Sequence, residues 1–171
     1  MISTTLINSL VASKDKMEAG NFQVTGGDSG TYVTSITHQA DGTIDRHTVY
    51  TDIAGLTSTV DTVFTVQSAQ SVTSQTSQTN FNGVASSAAR SFMLNADGTI
   101  YVDAHLSSGS EIIGTITNYR GGSQLSGTIT TAAGAIGSVF DTTSHGGGSF
   151  DTVEQVQLLG QPAHTYEMSG T

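Results

Sequence analysis

The sequence predicts a mainly β protein, an antiparallel sandwich or barrel built as a hairpin meander, with one N-terminal α-helix. From Phe22 onward apolar and polar residues alternate, as in GTYVTSIT and STVDTVFTVQS, and this period of two is typical of half-buried strands. The string ADGTI occurs at 40–44 and again at 96–100. Asp-Gly between two alternating segments is a strong hairpin signal, so we expect a β-hairpin at each copy.

The N-terminal segment has a different period. Four of its apolar residues fall at helical spacing, and they are Ile2, Leu6, Leu10 and Met17. Such spacing forms one apolar stripe on a helix, and Gly20 is a suitable residue just beyond a helix end. We therefore expect an amphipathic helix from Ser3 to Ala19, with residues 1–20 as a helical segment and residues 21–171 as a single β domain.

Composition excludes several classes of partner. The 171 residues include 22 Ser, 27 Thr and 20 Gly but only five Lys and Arg, and the net charge is −9. Nucleic-acid phosphates and anionic membranes both require clustered Lys and Arg. We therefore expect no nucleic-acid partner and no membrane insertion. With no cysteine, the chain has no disulfide and no thiolate metal site.

The N-terminus also bears on localisation. Residues 1–20 have no basic start, and their charges follow the apolar part, which is not the layout of a secretory signal. We expect an extracellular, cell-surface or virion protein without a cleaved N-terminal signal, or a cytoplasmic one if the protein is an enzyme.

The string GDSG at 27–30 resembles the motif around the nucleophilic serine of chymotrypsin-like proteases. That family places its His and Asp before the Ser, whereas no His precedes Ser29 in this chain. A catalytic serine needs a base within hydrogen-bond reach. The Gly and Asp residues are also typical of a tight turn between strands, so we interpret Ser29 as a turn residue.

Two strands carry a stronger chemical pattern. Asp45 and His47 follow the first ADGTI copy, and Asp103 and His105 follow the second. Residues two apart on a strand share a face, and convergence of the two strands would supply a four-ligand set for a divalent metal. Tyr101 lies on the same face as Asp103. In a barrel, an acid/base set would line the cavity, formed by Tyr101, Asp103, His105 and Arg90. The simpler interpretation is that this face is solvated.

Self-association is the expectation for assembly. The helix stripe must be buried against something, and the chain has few of the Lys and Pro residues that protect sheet edges. The polar segment Gln67 to Ala89 is interpreted as an edge strand or as a loop, and polar edge strands pair with other chains. We therefore expect a homo-oligomer or filament that uses the helix, this segment, or both.

Three functional hypotheses follow. The first is a non-enzymatic structural or adhesive β protein without a cofactor. The second is a small β-barrel that binds or transforms an apolar small molecule. The third is a carbohydrate-binding sandwich, which is disfavoured because sugar-binding platforms use Trp and this chain has none.

Overall fold

The computed structural model describes residues 4–171, with side chains from Leu6 onward, as one closed β-barrel plugged by a short helix. Every strand is antiparallel to the next one in the chain, and the last strand returns to the first. The prediction of a mainly β fold with an N-terminal helix is confirmed, as a barrel. The elements are α1 (Thr4–Leu10), β1 (Lys16–Val24), β2 (Ser29–His38), β3 (Ile44–Asp52), β4 (Thr57–Ser68), β5 (Ser71–Thr79), β6 (Ala85–Leu94), β7 (Ile100–Leu106), β8 (Glu111–Tyr119), β9 (Gly122–Thr130), β10 (Ile136–Gly146), β11 (Ser149–Leu158) and β12 (His164–Gly170).

The two ADGTI copies form the same hairpin turn. In the first, the amide of Gly42 donates to the carbonyl of Gln39 at 3.0 Å, and the Gln39 amide donates to Thr43 at 2.9 Å. The Asp41 carboxylate accepts bonds from the amide and the hydroxyl of Thr43, and these bonds lower the pKa of Asp41. The second copy repeats every one of these bonds, so both predicted hairpins are confirmed.

The buried apolar side chains gather at the end of the barrel that α1 closes. Leu6 is 1% exposed and Ile100 is fully buried. Both belong to one cluster, in which α1 packs against inward-facing side chains of the barrel strands. Burial of this stripe is worth about 1.5–3 kcal/mol for each large side chain. No helix within residues 4–171 is long and apolar enough to cross a membrane. The core cluster consists of Leu6, Ile7, Val11, Ile36, Ile44, Phe64, Val72, Phe92, Ile100 and Val102.

The helix is shorter than predicted. It ends at Leu10, and the segment from Lys16 belongs to β1, which pairs with β2 from Lys16↔Ile36 to Gln23↔Ser29. The helical spacing of Met17 is coincidental, because its side chain is 77% exposed on the outside of the barrel. The prediction of a helix to Ala19 is therefore wrong, and the proposed boundary at residue 20 falls inside β1.

The polar segment Gln67 to Ala89 is part of the barrel wall. It contains the end of β4, all of β5 and the start of β6, and β5 is hydrogen-bonded along both sides. The predictions of an edge strand or a loop are therefore wrong for β5. Alternate polar side chains simply face outward from the sheet.

The barrel has one incompletely paired seam. Only Phe22, Gln23 and Val24 of β1 have strand partners on β12, whereas β1 pairs with β2 along eight residues. Within the described chain, residues 16–20 of β1 therefore have a paired neighbour on one side alone. We call the gap between residues 16–20 and the β10–β11 turn at 147–148 the lateral notch.

Truncation of the plug tests this packing. Leu6→Ala removes a side chain that fills the closed end of the barrel, and such core truncations cost about 2–5 kcal/mol. We expect urea unfolding to show a loss in that range. Leu159→Ala is the matched control, since Leu159 is 89% exposed and surface substitutions stay within about 0.5 kcal/mol. Equal stability of the two variants would contradict the placement of α1 inside the barrel.

Candidate ligand-binding site in the barrel interior

The interior above α1 contains three spaces that share lining residues. The lateral notch opens into a cleft of about 840 Å³, which is bordered by Lys16 and Glu18 of β1 on one side and by residues 146–150 on the other. An inner cavity of about 300 Å³ lies next to Leu10 of the helix. A third pocket, of about 380 Å³, is lined by aromatic residues at the opposite end. Volumes of roughly 300–1,000 Å³ are typical of small-molecule sites.

A row of polar side chains crosses the inner wall. The hydroxyls of Thr34 and Thr48 are 3.0 Å apart, those of Thr62 and Thr76 are 3.1 Å apart, and the Arg90 guanidinium donates to Thr76 at 2.9 Å. These five residues, which we call the polar belt, lie on five consecutive strands at 14-residue intervals. Thr34 and Thr48 border the cleft, whereas the other three members border the inner cavity.

Arg46 lies inside the barrel beside the belt, on the same face of β3 as Ile44 and Thr48. It lines both the cleft and the inner cavity. Its guanidinium carbon lies 5.5 Å from the centroid of the Phe64 ring, a cation–π distance. Among residues 4–171, it makes no hydrogen bond and no ion pair. Burial, together with the nearby charge of Arg90, lowers the pKa of Arg46.

Two carboxylates face each other across the β10–β11 pair. Asp141 lies opposite Glu154 in the register, and Arg90 is the cation that acts on both at longer range. Burial of the Asp141 carboxyl, with a smaller contribution from Glu154, raises the pKa of Asp141 to about 6. One Asp141 oxygen (Oδ1) is buried without a hydrogen-bond partner in the described chain. The Asp141 carboxyl therefore titrates closer to neutral pH than an ordinary aspartate does.

Aromatic rings line the interior near β1. The Phe22 ring packs edge-on against Tyr50 at 5.3 Å and stacks on Phe81 at 6.3 Å. Tyr32 contacts Tyr50 and Phe150 at 6.3 and 5.9 Å. Tyr32, Tyr50 and Phe150 border the cleft, so an apolar or aromatic ligand group has a surface to pack on.

The predicted acid/base set does not line this interior. On β7 the inward residues are Ile100, Val102 and Ala104, all buried, so Tyr101, Asp103 and His105 point outward. The cavity role proposed for these three residues is therefore wrong, because the apolar half of the strand takes the inside. Arg90 alone of the predicted set faces the cavities.

The predicted four-ligand metal set is also divided. Asp45 and His47 lie on β3, whereas Asp103 and His105 lie on β7, and β4, β5 and β6 stand between them. At about 4.8 Å per strand, four spacings separate the pairs by roughly 19 Å along the wall. They cannot share one ion. His47 Nδ1 instead bonds the Asp61 carboxylate on the neighbouring strand.

Ser29 is the first residue of β2 and follows the β1–β2 turn. The turn is closed by a bond from the Gly27 amide to Val24 at 3.0 Å, and Gly26 has a φ of 70°. No histidine of the described chain bonds the Ser29 hydroxyl. The predicted turn is present at residues 25–28, but Ser29 itself belongs to the strand and is not a turn residue.

Sequence reasoning missed Arg46, the polar belt and the Asp141–Glu154 pair. A signal for the belt was present, since Thr34, Thr48, Thr62 and Thr76 recur every 14 residues. That interval equals the length of one strand of about ten residues plus one short turn, so successive threonines fall on successive strands. Arg46 carried no comparable signal, because an isolated arginine in a strand is usually solvent-exposed.

The chain was compared with protein-family models, with curated proteins and with solved structures, and no match was found in any of the three.

The raised pKa of Asp141 predicts a pH-dependent stability. An ordinary Asp titrates near 3.8, whereas Asp141 in the folded barrel titrates near 6. Between these values the unfolded chain loses its proton first, so the free energy of unfolding falls as pH rises from about 4 to about 6. Asp141→Asn removes this loss, and we expect the variant to melt higher than the wild type at pH 7.

Thermal melts at several pH values between 4 and 7 measure the effect. Asp151→Asn is the matched control, because Asp151 lies on the same hairpin with its side chain exposed. Asp141→Asn should flatten the pH dependence, while Asp151→Asn should follow the wild type. Parallel curves for all three proteins would show that Asp141 is solvated.

Proposed function

We propose that the barrel binds a small organic anion that carries an apolar or aromatic group, with Arg46 holding the anionic group. The observation that carries this proposal is the unpaired guanidinium of Arg46 inside the barrel. Taking a charge out of water is costly unless it is paired. A bound anion supplies the missing partner.

The surroundings of Arg46 support a carboxylate, sulfonate or phosphate as that partner. Its side chain is flanked by the hydroxyls of Thr48 and Thr62, which occupy neighbouring inward positions on β3 and β4. Hydroxyls donate to anions, and guanidinium forks match planar oxyanions in geometry. The carboxylates of Asp141 and Glu154 act on the pKa of Arg90. They are not among the groups that shift the pKa of Arg46, so Arg46 is the cation without a compensating carboxylate.

The cavities on either side of Arg46 support the apolar part of the ligand. The inner cavity is lined by Phe64, Phe92, Val102 and other apolar side chains. The cleft provides Tyr32, Tyr50 and Phe150. A ligand anchored at Arg46 can therefore bury its apolar group in one direction and reach the lateral notch in the other.

Self-association, the other function proposed from sequence, has lost two of its supports. The apolar side chains Leu6, Ile7 and Val11 are buried within the same chain, and closure of the barrel gives every described strand a neighbour on both sides. The prediction itself stands to be tested by light scattering. The ligand-binding barrel has the stronger structural argument.

Binding of 8-anilinonaphthalene-1-sulfonate tests the proposal, because this probe joins a sulfonate to aromatic rings and fluoresces when it is desolvated. We expect saturable binding to the wild type. Arg46→Met should weaken it about tenfold or more, since bonds to charged groups contribute about 1.5–3 kcal/mol. Methionine keeps the apolar stem of the side chain.

Two controls make the result specific. Arg120→Met removes an exposed arginine in the β8–β9 turn and should leave probe affinity unchanged. The neutral probe N-phenyl-1-naphthylamine lacks the sulfonate and should bind the wild type and Arg46→Met equally. An unchanged sulfonate affinity in Arg46→Met would refute anion recognition by this residue.

A further inference from the structure

A second cluster of polar groups lies on the outer wall, away from the cavities. Asp103 and His105 share the outward face of β7, and Glu111 of β8 stands directly opposite His105 in the register. One donor atom from each of these residues lies within 4.8 Å of the other two. The turn at 107–110 joins β7 to β8 and fixes the register between them. In this register Glu111 is the partner of His105.

The spacing of the donors is close to that of a metal site. His105 Nε2 lies 3.3 Å from an Asp103 oxygen and 3.8 Å from a Glu111 oxygen. In a tetrahedral zinc site with bonds of about 2.0–2.2 Å, neighbouring donors are about 3.3–3.6 Å apart. The distance between His105 and Asp103 therefore already suits zinc, and a small rotation of the exposed Glu111 side chain would bring its carboxylate into range.

The Asp103 carboxylate has one oxygen that faces this cluster. Its Oδ1 atom is removed from solvent but has no hydrogen-bond partner among the described residues, since His105 approaches it without hydrogen-bond geometry. The side chain as a whole is 31% exposed. The same oxygen is the one nearest His105 Nε2, so a cation between them would satisfy it.

We infer that Asp103, His105 and Glu111 form a zinc-binding site on the outer wall of the barrel. One imidazole nitrogen and two carboxylate oxygens are ligands that zinc accepts, and the two carboxylates neutralise its charge. Three protein ligands leave a fourth position to water. The site shares no residue with the interior and does not depend on the ligand proposed there.

Calorimetric titration of chelator-treated protein with zinc chloride tests the site. We expect saturable binding of one ion per chain and a higher melting temperature, because an ion that binds only the folded state stabilises it. His105→Ala should abolish this binding. Glu111→Gln should weaken it about tenfold or more, since loss of even an outer-sphere partner costs roughly 10–100-fold in affinity.

His47→Ala is the matched control. His47 also pairs with a carboxylate on the outer wall, that of Asp61, but no third ligand group accompanies this pair in the described residues. The control should bind zinc as the wild type does. The inference is overturned if the wild type shows no saturable binding, or if His105→Ala, shown by circular dichroism to be folded, binds zinc as tightly as the wild type.

Discussion

A barrel of twelve strands encloses more space than its own side chains can fill, and this constraint governs the rest of the molecule. Eight strands make an interior that side chains just occupy. With twelve strands, the protein needs additional material in the interior or must leave part of it open. Both solutions are present, because α1 fills one end while the remainder stays as cavities beside the polar belt.

The open part of the interior explains why polar and charged residues occupy inward positions. Water in the cavities can reach the threonine hydroxyls, and Arg90 bonds Thr76, so these polar groups cost less inside the barrel than in a dry core. The hairpin repeat then sets their order. Thr34 and Thr48 are direct partners across one hairpin, and so are Thr62 and Thr76 across another. A repeated turn length thus places repeated hydroxyls at one level of the barrel.

The strands and hairpins were predictable because alternation and Asp-Gly turns are local properties of the chain. The orientation of β7 was predictable only in part, since alternation shows that Tyr101 and Val102 face opposite ways but not which one is inside. Apolar Ile100, Val102 and Ala104 decide it on β7, whereas on β3 the inward set includes Arg46 and Tyr50. No local pattern determines the register between strands. The number of strands, the closure of the barrel and the pairing of His105 with Glu111 all depend on that register.

The plug and the cleft are physically coupled through the segment that joins α1 to β1. Val11 and Ala12 follow the helix and line the cleft, and the Asp15 carboxylate holds the segment to the His38 amide at 2.8 Å. A ligand in the cleft therefore contacts the end of the plug as well as the barrel wall. If the proposed ligand binds in the cleft against Val11 and Ala12, its binding energy adds to the stability of the plugged barrel. The position of α1 and the occupancy of the interior then depend on each other.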